Sequence, residues 1–313
     1  MDLISGGSGF IGARLHRRLL AVGRECRLLS CRPDASGRTV LTDPAALSVA
    51  CAGVDRLFHC AGHAHAFSSR SAEDTARHWQ VNFDGTRNLV EAAGQAGVRK
   101  FVFLSSVKAM AEPGEAMVDE DFPGVPETAY GQAKAAAEAA VLEAGRRYGM
   151  HVVNLRLAMV YGAGGRGNLE RMGRLVRRGW FPPLPDTGNH RSLVHVDDVL
   201  SAMTLVADDV RAAGKTYIVA HHEAPSGRTL FDALRAAQGL PPCRWTVPEF
   251  LLQLLARAGD ALAPLAGRRF PFDSEVLARL LQSAWYSPAR IQRELGWQAR
   301  IGVTAGLTEM LKK

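Results

Sequence analysis

Lysine is nearly missing from this chain: only six of its 313 residues are lysine, so 32 of its 38 basic residues are arginine. Aromatic residues are also few, at 7%, and no basic stripe with interleaved aromatics makes up for them. Stacking surface for bases is therefore small, and nucleic acid is not an expected partner. Cysteine is sparse and odd in number. Cys26, Cys31, Cys51, Cys60 and Cys243 include no C-x-x-C pair and mostly fall within apolar runs, which excludes a disulfide framework and suits reduced thiols in a cytoplasmic protein. Long apolar stretches are missing as well. The most apolar late segment, residues 250–266, is interrupted by Arg257 and Asp260; it reads as an amphipathic helix, and no stable membrane insertion is expected. The opening Met1-Asp2-Leu3-Ile4 runs straight into a strand pattern, without the charged and apolar regions of a secretory leader.

What is present is an ordinary globular composition, 47% hydrophobic and 22% charged, long enough for two domains or one large α/β unit. A net charge of +7 and a pI near 9.4 fit either an anionic small substrate or arginines that merely solvate the surface. Short apolar runs at residues 3–5, 26–29, 56–60, 100–104 and 152–156 alternate with helical spacing over 10–22, 81–96 and 130–148. That alternation predicts βαβ units and an α/β, Rossmann-like, doubly wound parallel sheet whose ligands lie beyond the carboxyl ends of its strands. From about Gly162 the chain is punctuated by Gly164-Gly165-Arg166-Gly167, Pro182-Pro183-Leu184-Pro185 and Pro241-Pro242. Residues 1–161 are therefore expected to form the sheet domain. Residues 162–313 are expected to form mainly a smaller substrate-binding lobe, with some segments returning to the sheet and a cleft between.

After the first strand comes Gly6-Gly7-Ser8-Gly9-Phe10-Ile11-Gly12, a G-x-x-G-x-x-G turn that opens a helix. Missing side chains let the backbone approach a pyrophosphate, and the free amides at the helix start meet its charge. Gly6, Gly9, Phe10, Ile11 and Gly12 are thus candidate dinucleotide contacts. The second strand of such a unit ends in an acidic residue when the cofactor is NAD; here Ser30 stands in that place and Arg32 follows. An arginine fork suits a ribose phosphate, so the pattern favours NADP, with NAD the alternative.

Tyr130 and Lys134 form Y-x-x-x-K at the start of an alanine-rich helix. Residues four apart share a face, so the ammonium can lie near the phenol and lower its pKa towards working pH. Ser105 and Ser106 follow the fourth strand, where a hydroxyl could hold a reacting oxygen beside the tyrosine; Ser106 is the choice and Ser105 the alternative. His59, His63 and His65 lack the acidic or cysteine partners of a closed site, and no metal is expected.

Glycine turn, serine and Y-x-x-x-K together resemble the extended short-chain dehydrogenase/reductase family, and within it the nucleotide-sugar 4-epimerases and 4-ketoreductases of bacterial surface-polysaccharide synthesis. The likeness continues through Phe58-His59-Cys60-Ala61-Gly62, Val81-Asn82-Phe83-Asp84-Gly85-Thr86, Arg191-Ser192-Leu193-Val194-His195-Val196-Asp197-Asp198 and Glu294-Leu295-Gly296-Trp297. The resemblance implies that Cys60, Ala61 and Gly62 wrap the cofactor with Tyr130 and Lys134, and that Ser106, Tyr130 and Lys134 are catalytic. It also implies that Ser106, Lys108, Asn168 and Arg191 contact a UDP-sugar, the last two at its diphosphate, and that a homodimer forms through the helices over 81–96 and 130–148.

Departures from the family pattern narrow the reaction. Sugar-nucleotide dehydratases carry an Asp-Glu pair where this chain has Val107-Lys108, which argues against dehydration. Met110-Ala111 stands where many epimerases have Tyr-Gly, and Leu157 replaces a common proline. The reading is an NAD(P)-dependent reduction at C4 of a UDP-4-keto-6-deoxy-N-acetylhexosamine for O-antigen assembly. Its alternative is a UDP-glucose or UDP-N-acetylglucosamine 4-epimerase with retained NAD. A non-catalytic, cofactor-sensing protein is a third reading, against which the intact Ser106, Tyr130 and Lys134 set speaks.

Overall fold

The computed structural model describes residues 1–30, 40–63, 72–165, 167–262 and 273–312. Their strands are β1 (Asp2–Ser5), β2 (Cys26–Leu29), β3 (Arg56–His59), β4 (Lys100–Ser106), β5 (Met117–Val118), β6 (His151–Leu157), β7 (Met159–Tyr161), β8 (Leu193–His195), β9 (Lys215–Val219) and β10 (Trp285–Tyr286). The helices are α1 (Phe10–Ala21), α2 (Pro44–Cys51), α3 (Ala72–His78), α4 (Gly85–Gln95), α5 (Ala129–Tyr148), α6 (Asn168–Arg177), α7 (Val196–Asp208), α8 (Gly227–Ala236), α9 (Glu249–Leu262), α10 (Ser274–Leu281), α11 (Ala289–Leu295) and α12 (Val303–Leu311).

Six strands pair in parallel in the order β2-β1-β3-β4-β6-β9. The chain steps from β1 outward to β2 and then crosses to β3 on the other side of β1. The winding reverses there, and the crevice beyond the carboxyl ends of β1 and β3 is where such a sheet takes a ligand. This is the Rossmann-like doubly wound α/β fold that the alternation of strand and helix predicts.

Both faces of the sheet are covered, so its strands are apolar on both sides, and the period of two sorts their side chains. Leu3, Leu57, Phe101, Phe103 and Val152 face one way, into a core closed by α2, α4 and α5. Ile4, Phe58, Val102, Leu104, Val153 and Leu155 face the other, against α1, α7 and α11. A third core, around Tyr161, Met172, Phe231, Leu252 and Leu307, is built from the later chain, while α7 and β9 return to the sheet.

Two details depart from the sequence expectation. The fourth strand does not end at residue 104: Ser105 and Ser106 are its last two residues, in register with Arg156 and Leu157. Nor is the helix over 81–96 regular. Trp79–Asp84 forms π turns before α4, and such widened turns mark functional sites because they turn a side chain inward; here that side chain is Asn82. Arg32 and His65 lie outside the described residues. Among the described residues no helix is long and apolar enough to cross a membrane.

Candidate active site

The glycine turn is a backbone-on-backbone contact. Gly6 has φ 70°, and a Cβ there would lie 2.7 Å from the Ala61 nitrogen, so only glycine lets the exits of β1 and β3 touch. A Cβ on Gly12 would lie 2.4 Å from the Gly6 carbonyl oxygen. Gly9 caps α1 with no side-chain bond, and the first turn, which begins with Phe10 and Ile11, holds no acidic residue. An uncapped helix start facing a cradle with no room for side chains fits a pyrophosphate.

Beside the turn, Cys60, Ala61 and Gly62 leave β3, and the Cys60 amide bonds the Ser5 carbonyl. Asn82 clamps this segment: its Oδ1 accepts the His63 N–H at 2.8 Å and its Nδ2 donates to the His63 carbonyl at 3.0 Å. His59 is fully buried below. The Thr86 hydroxyl donates to the Asn82 carbonyl, so its oxygen accepts from His59 Nε2 at 2.9 Å, and His59 Nδ1 accepts from the Ser5 hydroxyl at 2.5 Å. Burial, with the Lys134 charge second, pushes the imidazole pKa down to about 3. His59 is a neutral strut, not a proton donor.

Thr128 caps α5 by accepting the Gly131 N–H at 3.1 Å, and the helix start lies against the turn after β4. A Cβ on Gly131 would sit 2.1 Å from the Lys108 carbonyl oxygen. That closeness brings Tyr130 to Ser106, to which it is hydrogen-bonded, while the His78 ring meets the phenol edge-on at 5.6 Å. Ser105 alternates to the other side of the strand and is buried, so the structure pairs the tyrosine with Ser106. Lys134 is only 4% exposed. Its ammonium donates to the Leu104 carbonyl at 2.8 Å, lies 4.5 Å from the Phe103 ring centroid and approaches Gly62.

One electrostatic expectation is corrected. The Tyr130 pKa is raised: burial outweighs the Ser106 hydrogen bond, and the Lys134 ammonium is directed at the Leu104 carbonyl instead of lowering the phenol. Lys134 itself is depressed to about 8 by burial, against the opposing charges of Glu138 and Cys60. Glu138 is held in turn by Arg156 at 2.8 Å.

Asn168, the first residue of α6, and Arg191 both line a cavity of about 1150 Å³ among the helices of the later chain. Arg191 donates to the Gln282 carbonyl at 3.2 Å. Lys108 stands apart from that wall, paired with Glu112 at 2.5 Å. Sequence reasoning gave no role to Asn82, Thr86 or Gly131. Their signal was present for the first two: polar residues on the buried side of an otherwise apolar helical repeat.

Residues 3–220 match the NAD dependent epimerase/dehydratase family. The chain is 28% identical to a UDP-glucose 4-epimerase of Vibrio cholerae over 95% of this chain and 90% of that protein. It is 26% identical to a 2-alkyl-3-oxoalkanoate reductase of Stenotrophomonas maltophilia over 98% and 97%. Among solved structures, MoeE5 in complex with UDP-glucose and NAD superposes with a TM-score of 0.76 at 25% identity, covering 99% of this chain and 96% of that one. With more than half its length in the match, the chain belongs to the NAD dependent epimerase/dehydratase family.

Proposed function

We propose that the protein is an NAD(P)-dependent oxidoreductase acting at C4 of a UDP-sugar, reducing a UDP-4-keto-6-deoxy-N-acetylhexosamine in surface-polysaccharide assembly. In this reading residues 1–161 bind the dinucleotide and the lobe within 162–313 binds the sugar nucleotide. The observation that carries it is the convergence of Ser106, Tyr130 and Lys134 beside the glycine cradle, with a phenol whose pKa burial raises. A phenol protonated at neutral pH is placed to give a proton, which is what reduction of a ketone requires.

When bound, the nicotinamide supplies the hydride. Gly6, Gly9, Gly12 and the start of α1 hold the pyrophosphate, and Cys60, Ala61 and Gly62 close over the adjacent ribose. Lys134, anchored by the Leu104 carbonyl, offers its remaining N–H groups to ribose hydroxyls. Ser106 holds the C4 oxygen and Tyr130 delivers the proton to it. Asn168 and Arg191 take the diphosphate, with Lys108 beside the sugar. NADP in place of NAD rests on Arg32.

A second reading, a 4-epimerase with retained NAD, is favoured by the Vibrio cholerae relative and by the NAD and UDP-glucose in MoeE5. The purified protein, a UDP-4-keto sugar and reduced dinucleotide separate the two. Stoichiometric loss of the reduced nicotinamide's near-ultraviolet absorbance supports reduction. Interconversion of two UDP-hexoses without added reductant, by protein that carries NAD through purification, replaces it with epimerisation. A homodimer across α4 and α5 completes the reading, and sedimentation velocity tests it.

Two further outcomes are expected. Dinucleotide affinity is full below about pH 8, where Lys134 is charged, and falls as pH rises through that value. Lys134→Met removes this dependence, as fluorescence titration on either side of that pH will report. Gly131→Ala pushes α5 off the Lys108 carbonyl and lowers kcat by up to about 10²-fold through misplacement of the phenol. Circular dichroism should be unchanged in this variant.

A further inference from the structure

We propose that the face of the C-terminal lobe around the mouth of the cavity docks onto an anionic lipid bilayer. Helix α9 carries the argument. At about 100° per residue, Phe250, Leu254, Ala258, Leu251 and Leu255 occupy one continuous arc, next to Leu252, Ala256 and Gly259, while Gln253, Arg257 and Asp260 fill the remainder. Leu252, Ala256 and Gly259 are buried and fasten the helix to the lobe. The neighbouring apolar arc is in solvent: Phe250 is 66% exposed, Leu254 64% and Leu255 58%. Holding the helix in place needs only the buried arc, so folding does not account for the exposed one.

The arc is continuous with the cavity. Leu255 forms part of the cavity wall, as do Trp180, 73% exposed, and Trp245, 64% exposed. The mouth is thus rimmed by large apolar side chains that are open to solvent. Tryptophan with one apolar and one wet side is the residue of the bilayer interface.

Charge selects the occupant. Arg171, Arg174, Arg177 and Arg178 are exposed along α6 and at its end, and the Arg178 guanidinium lies 5.7 Å from the Trp180 ring centroid. Arg244 adjoins Trp245, and Arg257 flanks the apolar arc, with Glu249 and Asp260 as the acidic residues of α9. A second copy seated here about a two-fold axis would press this arginine cluster against itself. Anionic headgroups neutralise it instead. Except for Arg171, none of the α6 arginines lines the cavity, so the sugar reading leaves them unused. The docking surface is independent of that reading.

Pelleting of the whole protein with phosphatidylglycerol-containing vesicles, compared with pure phosphatidylcholine vesicles, tests this. Binding to the anionic vesicles is expected, with loss at high salt and a blue shift of tryptophan emission. The double variants Phe250→Asp/Leu254→Asp and Arg177→Glu/Arg178→Glu should each weaken binding by about tenfold or more with unchanged thermal melting. The proposal is overturned by no binding to anionic vesicles, or by binding that neither pair of substitutions reduces. It is equally overturned by a dimer in sedimentation velocity that Leu254→Asp dissociates, which would assign the face to a second copy.

Discussion

Tyr130→Phe should lower kcat by about 10²–10⁴-fold, the usual contribution of a positioned proton donor, with the fold and the dinucleotide affinity retained. The ring stays against His78, 5.6 Å away and edge-on, so the variant removes one hydroxyl and leaves the packing. The phenol also has the right protonation state to be missed: burial raises its pKa and the Ser106 bond only partly offsets that, so the proton is present throughout the neutral range. Ser106→Ala should cost less, because Tyr130 can still donate. The double variant should be little worse than Tyr130→Phe alone, since the two hydroxyls act on the same oxygen. Initial rates and dinucleotide titrations on the same preparations separate these outcomes. Unchanged turnover in Tyr130→Phe would remove Tyr130 as the proton donor, whereas dinucleotide binding with no turnover in the natural protein, and biological function undiminished by Tyr130→Phe, would restore the reading of a cofactor-sensing protein.

The elements that carry this prediction were legible in the chain to different degrees. Strands 3–5, 56–60 and 152–156 were legible because a parallel sheet covered on both faces makes near-continuous apolar runs. Gly6 and Gly12 were legible because a glycine-spaced turn straight after the first strand is itself a recognisable pattern, although the backbone that meets Gly6, at Ala61, lies two crossovers away. Tyr130 and Lys134 were legible from helical spacing, yet the electrostatics inferred from that spacing were reversed. Spacing places two side chains on one face and says nothing of what each meets across the sheet, here the Leu104 carbonyl and the Phe103 ring for Lys134. Asn82 and Gly131 were missed for the same reason. The Asn82 partner, His63, is 19 residues away in sequence, and the Gly131 constraint is a carbonyl on another element. Both belong to tertiary packing: the polar Asn82 on a buried helical face marked the position without naming its partner, and Gly131 left no periodic signal.

Asp2→Ala should destabilise the fold by about 3–5 kcal/mol, the typical effect of stripping one partner from a buried ion pair, and lower Tm by on the order of 10 °C. Asp2 is fully buried and lies opposite Arg56 in the β1–β3 register. Its carboxylate takes two bonds from Arg56, at 3.0 and 2.8 Å, and two from Arg24, at 2.7 and 3.0 Å. Removing it leaves the Arg56 guanidinium, whose side chain is 4% exposed, with Asp208 alone at 2.9 Å. Asp208 is itself 59% exposed, so Asp208→Ala should cost no more than about 1 kcal/mol.

The pH dependence distinguishes this origin from a simple packing defect. Burial alone would raise the Asp2 pKa, but the hydrogen bonds from Arg56 and Arg24 more than reverse it, leaving the folded value below the ordinary one. Its stabilisation is therefore complete above about pH 4 and is lost as pH falls through the lowered pKa. The gap in stability between the natural protein and Asp2→Ala should narrow on acidification in that range, whereas a cavity effect would leave it constant. Adding Arg56→Met to Asp2→Ala should recover part of the loss by removing the stranded charge. Asp2 stands at the amino end of β1, and the glycine turn and Ser106 lie at the carboxyl ends of their strands, so turnover per folded molecule should stay unchanged in every one of these variants while Tm moves.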